Sequence, residues 1–94
     1  MQAIIARLVI KAGEEETFEA AARDMMAQVA NNEPGCKLYV CSKAKEPQTY
    51  VFMERYVDDA AMAAHREADH FKAFGAKIGG ILAGAPQIER LSEI

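Results

Sequence analysis

Residues 2–10 read Q-A-I-I-A-R-L-V-I, and the side chains of a strand point alternately to opposite faces of its sheet. Ile4, Ala6, Leu8 and Ile10 therefore form one row, and Ala3, Ile5, Arg7 and Val9 the other. Both rows are largely apolar, so both faces of the sheet that holds this strand need cover. Downstream, Lys11, Ala12 and Gly13 turn the chain, and Glu14, Glu15 and Glu16 place negative charge where a helix N-terminus favours it. Phe18, Ala22, Met25 and Val29 then recur at three- and four-residue steps, the stripe by which a helix packs on a core. Asn31 to Gly35 ends that helix.

Residues 36–44 and 49–57 are rich in aromatic and β-branched side chains, and Lys45 to Gln48 is short enough to join them as an antiparallel hairpin. Asp58 and Asp59 suit the cap of a second helical region over about 60–78, with a break near Ala68 to His70. Gly79, Gly80, Gly84 and Pro86 lead out to a last strand over 87–94. The order β-α-β-β-α-β predicts an α+β, ferredoxin-like split β-α-β fold: a four-stranded antiparallel sheet with its helices on one face. The helices leave the second face bare. A twofold homodimer, two sheets packed face to face, is the economical cover.

Composition agrees. The chain has 94 residues, 51% of them apolar, but 18 of those are alanine, so 30 larger apolar side chains must build the core. That is little for one small domain, and a shared interface compensates. A net charge of −3 without runs of lysine or arginine argues against a nucleic-acid partner. No apolar run reaches the roughly 20 residues of a membrane span, and the basic, apolar start of a secretory signal is missing, which makes the cytoplasm the expected compartment. Cys36 and Cys41, five apart on one extended segment, are expected on opposite sheet faces as free thiols.

Familiar chemical motifs are absent: no dinucleotide-binding glycine spacing, no GK[ST], no G-x-S-x-G. The side chains whose ordinary pKa lies near neutrality are His65 and His70, followed by Phe71 and Phe74. On one continuous helix five positions rotate by about 140°, a poor chelate, so no metal site is expected unless the break changes the geometry. His65 also suits a helix-surface pairing with Asp69. Glu54, between Phe52 and Tyr56, must face solvent or find a partner such as Arg7 or Arg90. Tyr39, Tyr50 and Tyr56 read as core aromatics whose hydroxyls can orient a ligand, and Arg7 and Arg55 as surface charges able to clamp an anion.

Several stretches together carry a resemblance: I-I-A-R-L-V-I-K-A-G followed by E-E-E-T-F, E-P-G-C-K-L-Y at 33–39, Y-V-F-M-E-R-Y at 50–56, A-H-R-E-A-D-H-F at 64–71 and the closing A-G-A-P-Q-I-E. The chain is similar, over nearly its whole length, to the antibiotic biosynthesis monooxygenase superfamily, especially its small quinol-monooxygenase-like members. The resemblance implies one such domain over residues 1–94, assembled as a dimeric α+β barrel. It implies a cofactor-independent oxidation of a small phenol or hydroquinone by O₂, without metal, flavin or haem, in which a base deprotonates the substrate in a dry pocket. The H-x-x-x-x-H-F pattern falls on His65, His70 and Phe71, and E-R-[WY] on Glu54, Arg55 and Tyr56. Implied catalytic residues are thus His65, His70 and Glu54; Tyr39, Tyr50, Tyr56 and Arg55 would contact substrate, with Phe71 and Phe74 as pocket walls. Haem-degrading members use an Asn, Trp and His triad, whereas this chain has no tryptophan and holds Ala6 and Gly75 where the Asn and His would lie. An isomerase or other proton-shuttling enzyme acting on a small carbonyl compound, and a non-catalytic ligand-binding module, are the alternatives.

Overall fold

A computed structural model describes all residues, Met1–Ile94. The elements are β1 (Gln2–Val9), α1 (Glu15–Asn32), β2 (Cys36–Lys43), β3 (Thr49–Tyr56), α2 (Asp59–Glu67), α3 (Asp69–Ile78) and β4 (Gln87–Ser92), with a short 3₁₀ turn at Gly79–Ile81. The four strands form one antiparallel sheet in the order β2-β3-β1-β4. The expected split β-α-β arrangement is the one observed, and the α1 face that packs on the sheet is Phe18, Ala22, Met25 and Val29. No helix is long and apolar enough to cross a membrane.

One sheet face carries the core: Ile4, Ala6 and Leu8 of β1 and Tyr50, Phe52 and Tyr56 of β3 are buried beneath the helices. The other face is open, with Ile5, Val9, Leu38, Met53, Val57 and Leu91 exposed. Register places these apolar side chains side by side, since Ile5 pairs with Met53, Met53 with Val40, and Ala3 with Leu91. β1 is two-faced, as its sequence requires.

Two local features position the site. The Asp58 carboxylate accepts a hydrogen bond from the Ala61 backbone N–H and starts α2, whereas Ala68, at φ −67° and ψ 144°, is extended and ends it. α3 begins at the next residue, so the expected break is real and redirects the chain between His65 and His70. Gly35 lies where β2 starts beneath α2, and a Cβ there would be 2.7 Å from Ala61 Cβ. Only glycine permits that approach without displacing the helix that carries His65.

The cysteines correct an expectation. Both are free thiols, but they share one face. A bulge between Cys36 and Leu38 inserts an extra residue, so that Cys36 pairs with Tyr56 and Cys41 with Phe52, both on the helix side. Burial pushes each thiol up to about 11, which leaves them protonated and poorly nucleophilic at neutral pH.

Candidate active site

A cavity of about 330 Å³ opens between the sheet and the paired helices α2 and α3. Its floor is Ile4, Ala6 and Leu8 from β1, and Phe52, Tyr39, Phe71 and Phe74 are its aromatic walls. Two carboxylates and two imidazoles meet at or beside it.

His65 is buried on α2. Its Nδ1 lies 3.0 Å from both carboxylate oxygens of Glu33. In the neutral ring that contact keeps the proton on Nδ1 and leaves Nε2 with a free lone pair. Nε2 is 4.0 Å from Glu54 Oε1, and both residues line the cavity. Aromatic rings hold the imidazole in place, with centroids of Tyr39 at 5.2 Å, Tyr56 at 5.5 Å and Phe71 at 5.0 Å. A carboxylate-oriented imidazole facing an apolar cavity is an arrangement that accepts a proton from a bound molecule.

Glu54 does not reach solvent, nor does it pair with Arg7 or Arg90. Register puts it beside Ile4 in β1 and Tyr39 in β2, and Tyr56 donates its hydroxyl proton to Glu54 Oε1 at 2.6 Å. Arg7 instead meets Glu46 at 3.6 Å on the open face. Desolvation raises the Glu54 carboxyl above its ordinary value, opposed by the Tyr56 hydrogen bond and by His65 when its ring carries a proton on both nitrogens. A carboxyl raised on folding favours the folded state most while protonated, and that contribution is lost as pH rises through its folded value. Glu54→Gln, which keeps an acceptor for Tyr56, should therefore raise the melting temperature at pH 8, and the gain should vanish towards pH 4. A gain that is equal at both pH values would refute this assignment.

The other expected residues divide. Tyr39, Phe71 and Phe74 line the cavity, and burial keeps the Tyr39 and Tyr56 phenols protonated as donors. His70 does not line it. Its Nε2 donates to Glu33 Oε2 at 2.5 Å, and its ring faces a groove between α1 and α3 beside Asp24, Asp69 and Lys77. The expected pairing of His65 with Asp69 is replaced by this shared carboxylate. Tyr50 lies away from the cavity, its ring tilted against Phe18 with centroids 4.6 Å apart and its hydroxyl donating to Glu19 at 2.5 Å. Arg55 lies on the opposite sheet face, held by Glu93 through two hydrogen bonds of 3.0 and 2.9 Å. Neither reaches the site within one chain.

Glu33 escaped sequence reasoning, although it orients both histidines. It stands just beyond α1 in N-N-E-P-G, where residue type indicates a turn and not a partner more than thirty positions away. Arg66 and Arg90, which also line the cavity, were missed as site residues. Ala6 and Gly75 both line the cavity too. Neither side chain offers a ligand atom.

The sequence pattern of the family described as antibiotic biosynthesis monooxygenase matches residues 1–77. The chain belongs to that family. Among curated proteins it is similar to a proposed monooxygenase of Bacillus subtilis (strain 168), YcnE, at 32% identity over 81 residues, covering 86% of this chain and 84% of that protein. Among solved structures it is similar to a proposed antibiotic biosynthesis monooxygenase from Caulobacter crescentus CB15. That match has 36% identity and a TM-score of 0.96, and covers 99% of this chain and 89% of that one. A family protein of Nitrosomonas europaea, at 23% identity, shares the fold with a TM-score of 0.93, covering 100% of this chain and 99% of that one. Family membership supports a monooxygenase type of function.

Proposed function

We propose that the chain is a cofactor-independent monooxygenase of small phenols or hydroquinones. The observation that carries this reading is the Glu33-oriented imidazole of His65, whose free Nε2 faces an aromatic-walled cavity. Nε2 takes the phenolic proton, and the resulting phenolate is electron-rich enough to reduce O₂ itself. O₂ adds to a ring carbon, that carbon loses its proton, and the O–O bond breaks. One oxygen atom remains on the ring as a quinone carbonyl, and the other leaves as water with the two protons. The apolar walls keep bulk water from the anion. Arg66 and Arg90, which form no ion pair, add positive potential that favours the deprotonated substrate.

Two subunits complete the proposed enzyme. The apolar open face of Ile5, Val9, Leu38, Met53, Val57 and Leu91 supports a homodimer joined sheet to sheet, and large exposed apolar patches mark such interfaces. The test of the reaction is oxygen uptake by metal-stripped protein across a panel of phenols and hydroquinones. Uptake well above the autoxidation rate, with a quinone product, is expected; uptake at the autoxidation rate for every substrate overturns the oxidation.

The 4.0 Å approach of His65 to Glu54 favours a second reading, because two proton carriers in one cavity also suit isomerisation of a small carbonyl compound. Such turnover would persist without oxygen.

A further inference from the structure

The break between α2 and α3 gathers metal-ligand atoms that a continuous helix would keep apart. Glu33 follows α1, His65 lies on α2 and His70 on α3, and one ligand atom from each falls within 4.8 Å of the other two. The side chains are largely withdrawn from solvent, with exposures of 9% for Glu33, 3% for His65 and 14% for His70, whose ring borders the α1–α3 groove. Zinc bonds to nitrogen and oxygen are about 2.0–2.2 Å long, so tetrahedral ligand atoms sit about 3.3 Å apart. Glu33 is 3.0 Å from His65 and 2.5 Å from His70. An ion entering between them must draw the two rings slightly together and ease Glu33 away from His70, adjustments within reach of side-chain rotation.

We propose that Glu33, His65 and His70 form a binding site for one divalent transition-metal ion per chain, zinc being the best match. Two imidazoles and a carboxylate suit zinc, cobalt or nickel, whereas magnesium and calcium take oxygen ligands. Three protein ligands leave a fourth position for water. A carboxylate also waits behind one ligand. A metal-bound histidine characteristically donates its other ring N–H to such a group, and Glu54 Oε1 stands 4.0 Å from His65 Nε2. A movement of about 1 Å turns that approach into a hydrogen bond of ordinary length.

Metal binding moves the remaining N–H to the other nitrogen of each ring. In the metal-free chain each histidine gives an N–H to Glu33. With metal at His65 Nδ1 and His70 Nε2, those protons move to the opposite ring nitrogens. The His65 proton then sits on Nε2, the nitrogen that faces Glu54 and the cavity. A metal-loaded chain thus has no proton acceptor there, so the ion and the base chemistry exclude one another. That consequence rests on the proposed oxidation; the metal site itself does not.

The test is calorimetric titration of zinc into untagged, chelator-stripped full-length protein, with cobalt followed in parallel by visible absorption. One saturable equivalent per chain is expected, with no matching response to magnesium or calcium. His70→Ala and Glu33→Gln should each weaken binding by at least the roughly 10–100-fold that even an outer-shell substitution costs. Cys36→Ala should bind as the parent does. Absence of a saturable equivalent, binding that survives both ligand substitutions, or loss of binding in Cys36→Ala overturns the site. If either ligand variant fails to fold, ring-nitrogen NMR of the parent decides: zinc should shift both His65 and His70, and unmoved resonances overturn the proposal. Calorimetry uses no substrate. Failed zinc binding therefore leaves the oxidation standing, and failed oxygen uptake leaves the metal site standing.

Discussion

His65→Asn should lower turnover by roughly 10²–10⁴-fold, the range that a positioned general base contributes. Asparagine is the informative replacement because its amide N–H can still reach towards the Glu33 carboxylate that His65 Nδ1 contacts at 3.0 Å. What it lacks is a basic nitrogen facing the cavity. Alanine would also leave Glu33 with His70 alone, mixing a structural loss with a chemical one. Oxygen uptake at saturating substrate and a thermal melt, measured on the same preparation, separate the two. A variant that melts normally and turns over at the parent rate would show that His65 is not the base.

The second large effect concerns assembly. Met53 lies on the open sheet face, 39% exposed, between Ile5 and Val40 in register. In a sheet-to-sheet dimer every substitution is made twice, and Met53→Lys would bury two like charges in an apolar interface. Burying an unpaired ion costs several kcal/mol, and each 1.4 kcal/mol is a tenfold loss of association. Light scattering at micromolar concentration should therefore move from twice the 10.3 kDa chain mass towards the single-chain value. A parent protein already at 10.3 kDa would rule out the dimer.

The parts of the fold that sequence made legible are those whose information is periodic. The α1 stripe of Phe18, Ala22, Met25 and Val29 and the two-faced β1 follow from spacing alone; the structure buries the stripe and one row of β1, and leaves Ile5 and Val9 of the other row on the open face. Parity also held the fate of Arg55: strand alternation puts it on the face opposite Glu54 and Tyr56, so an E-R-Y motif cannot deliver three side chains to one cavity. Tyr50 has the right parity, but four residues of strand, about 13 Å, separate it from Glu54. The bulge after Cys36 was not legible, because an inserted residue changes parity without a compositional mark. Glu33 was hidden for a different reason. Its role exists only once α1, α2 and α3 have packed, and no local pattern records a contact made across the fold.

Ala68 has a consequence for how this segment tolerates change. His65 and His70 reach the same carboxylate because one extended residue separates two helices. Removing or adding one residue within α3 ahead of His70 would turn that ring by about 100° around the helix axis, away from Glu33. Glu67 and Asp69, by contrast, are exposed, and their identities matter less than the spacing they keep. The interval from His65 to His70 works as a ruler, whose length is constrained more tightly than the letters written along it.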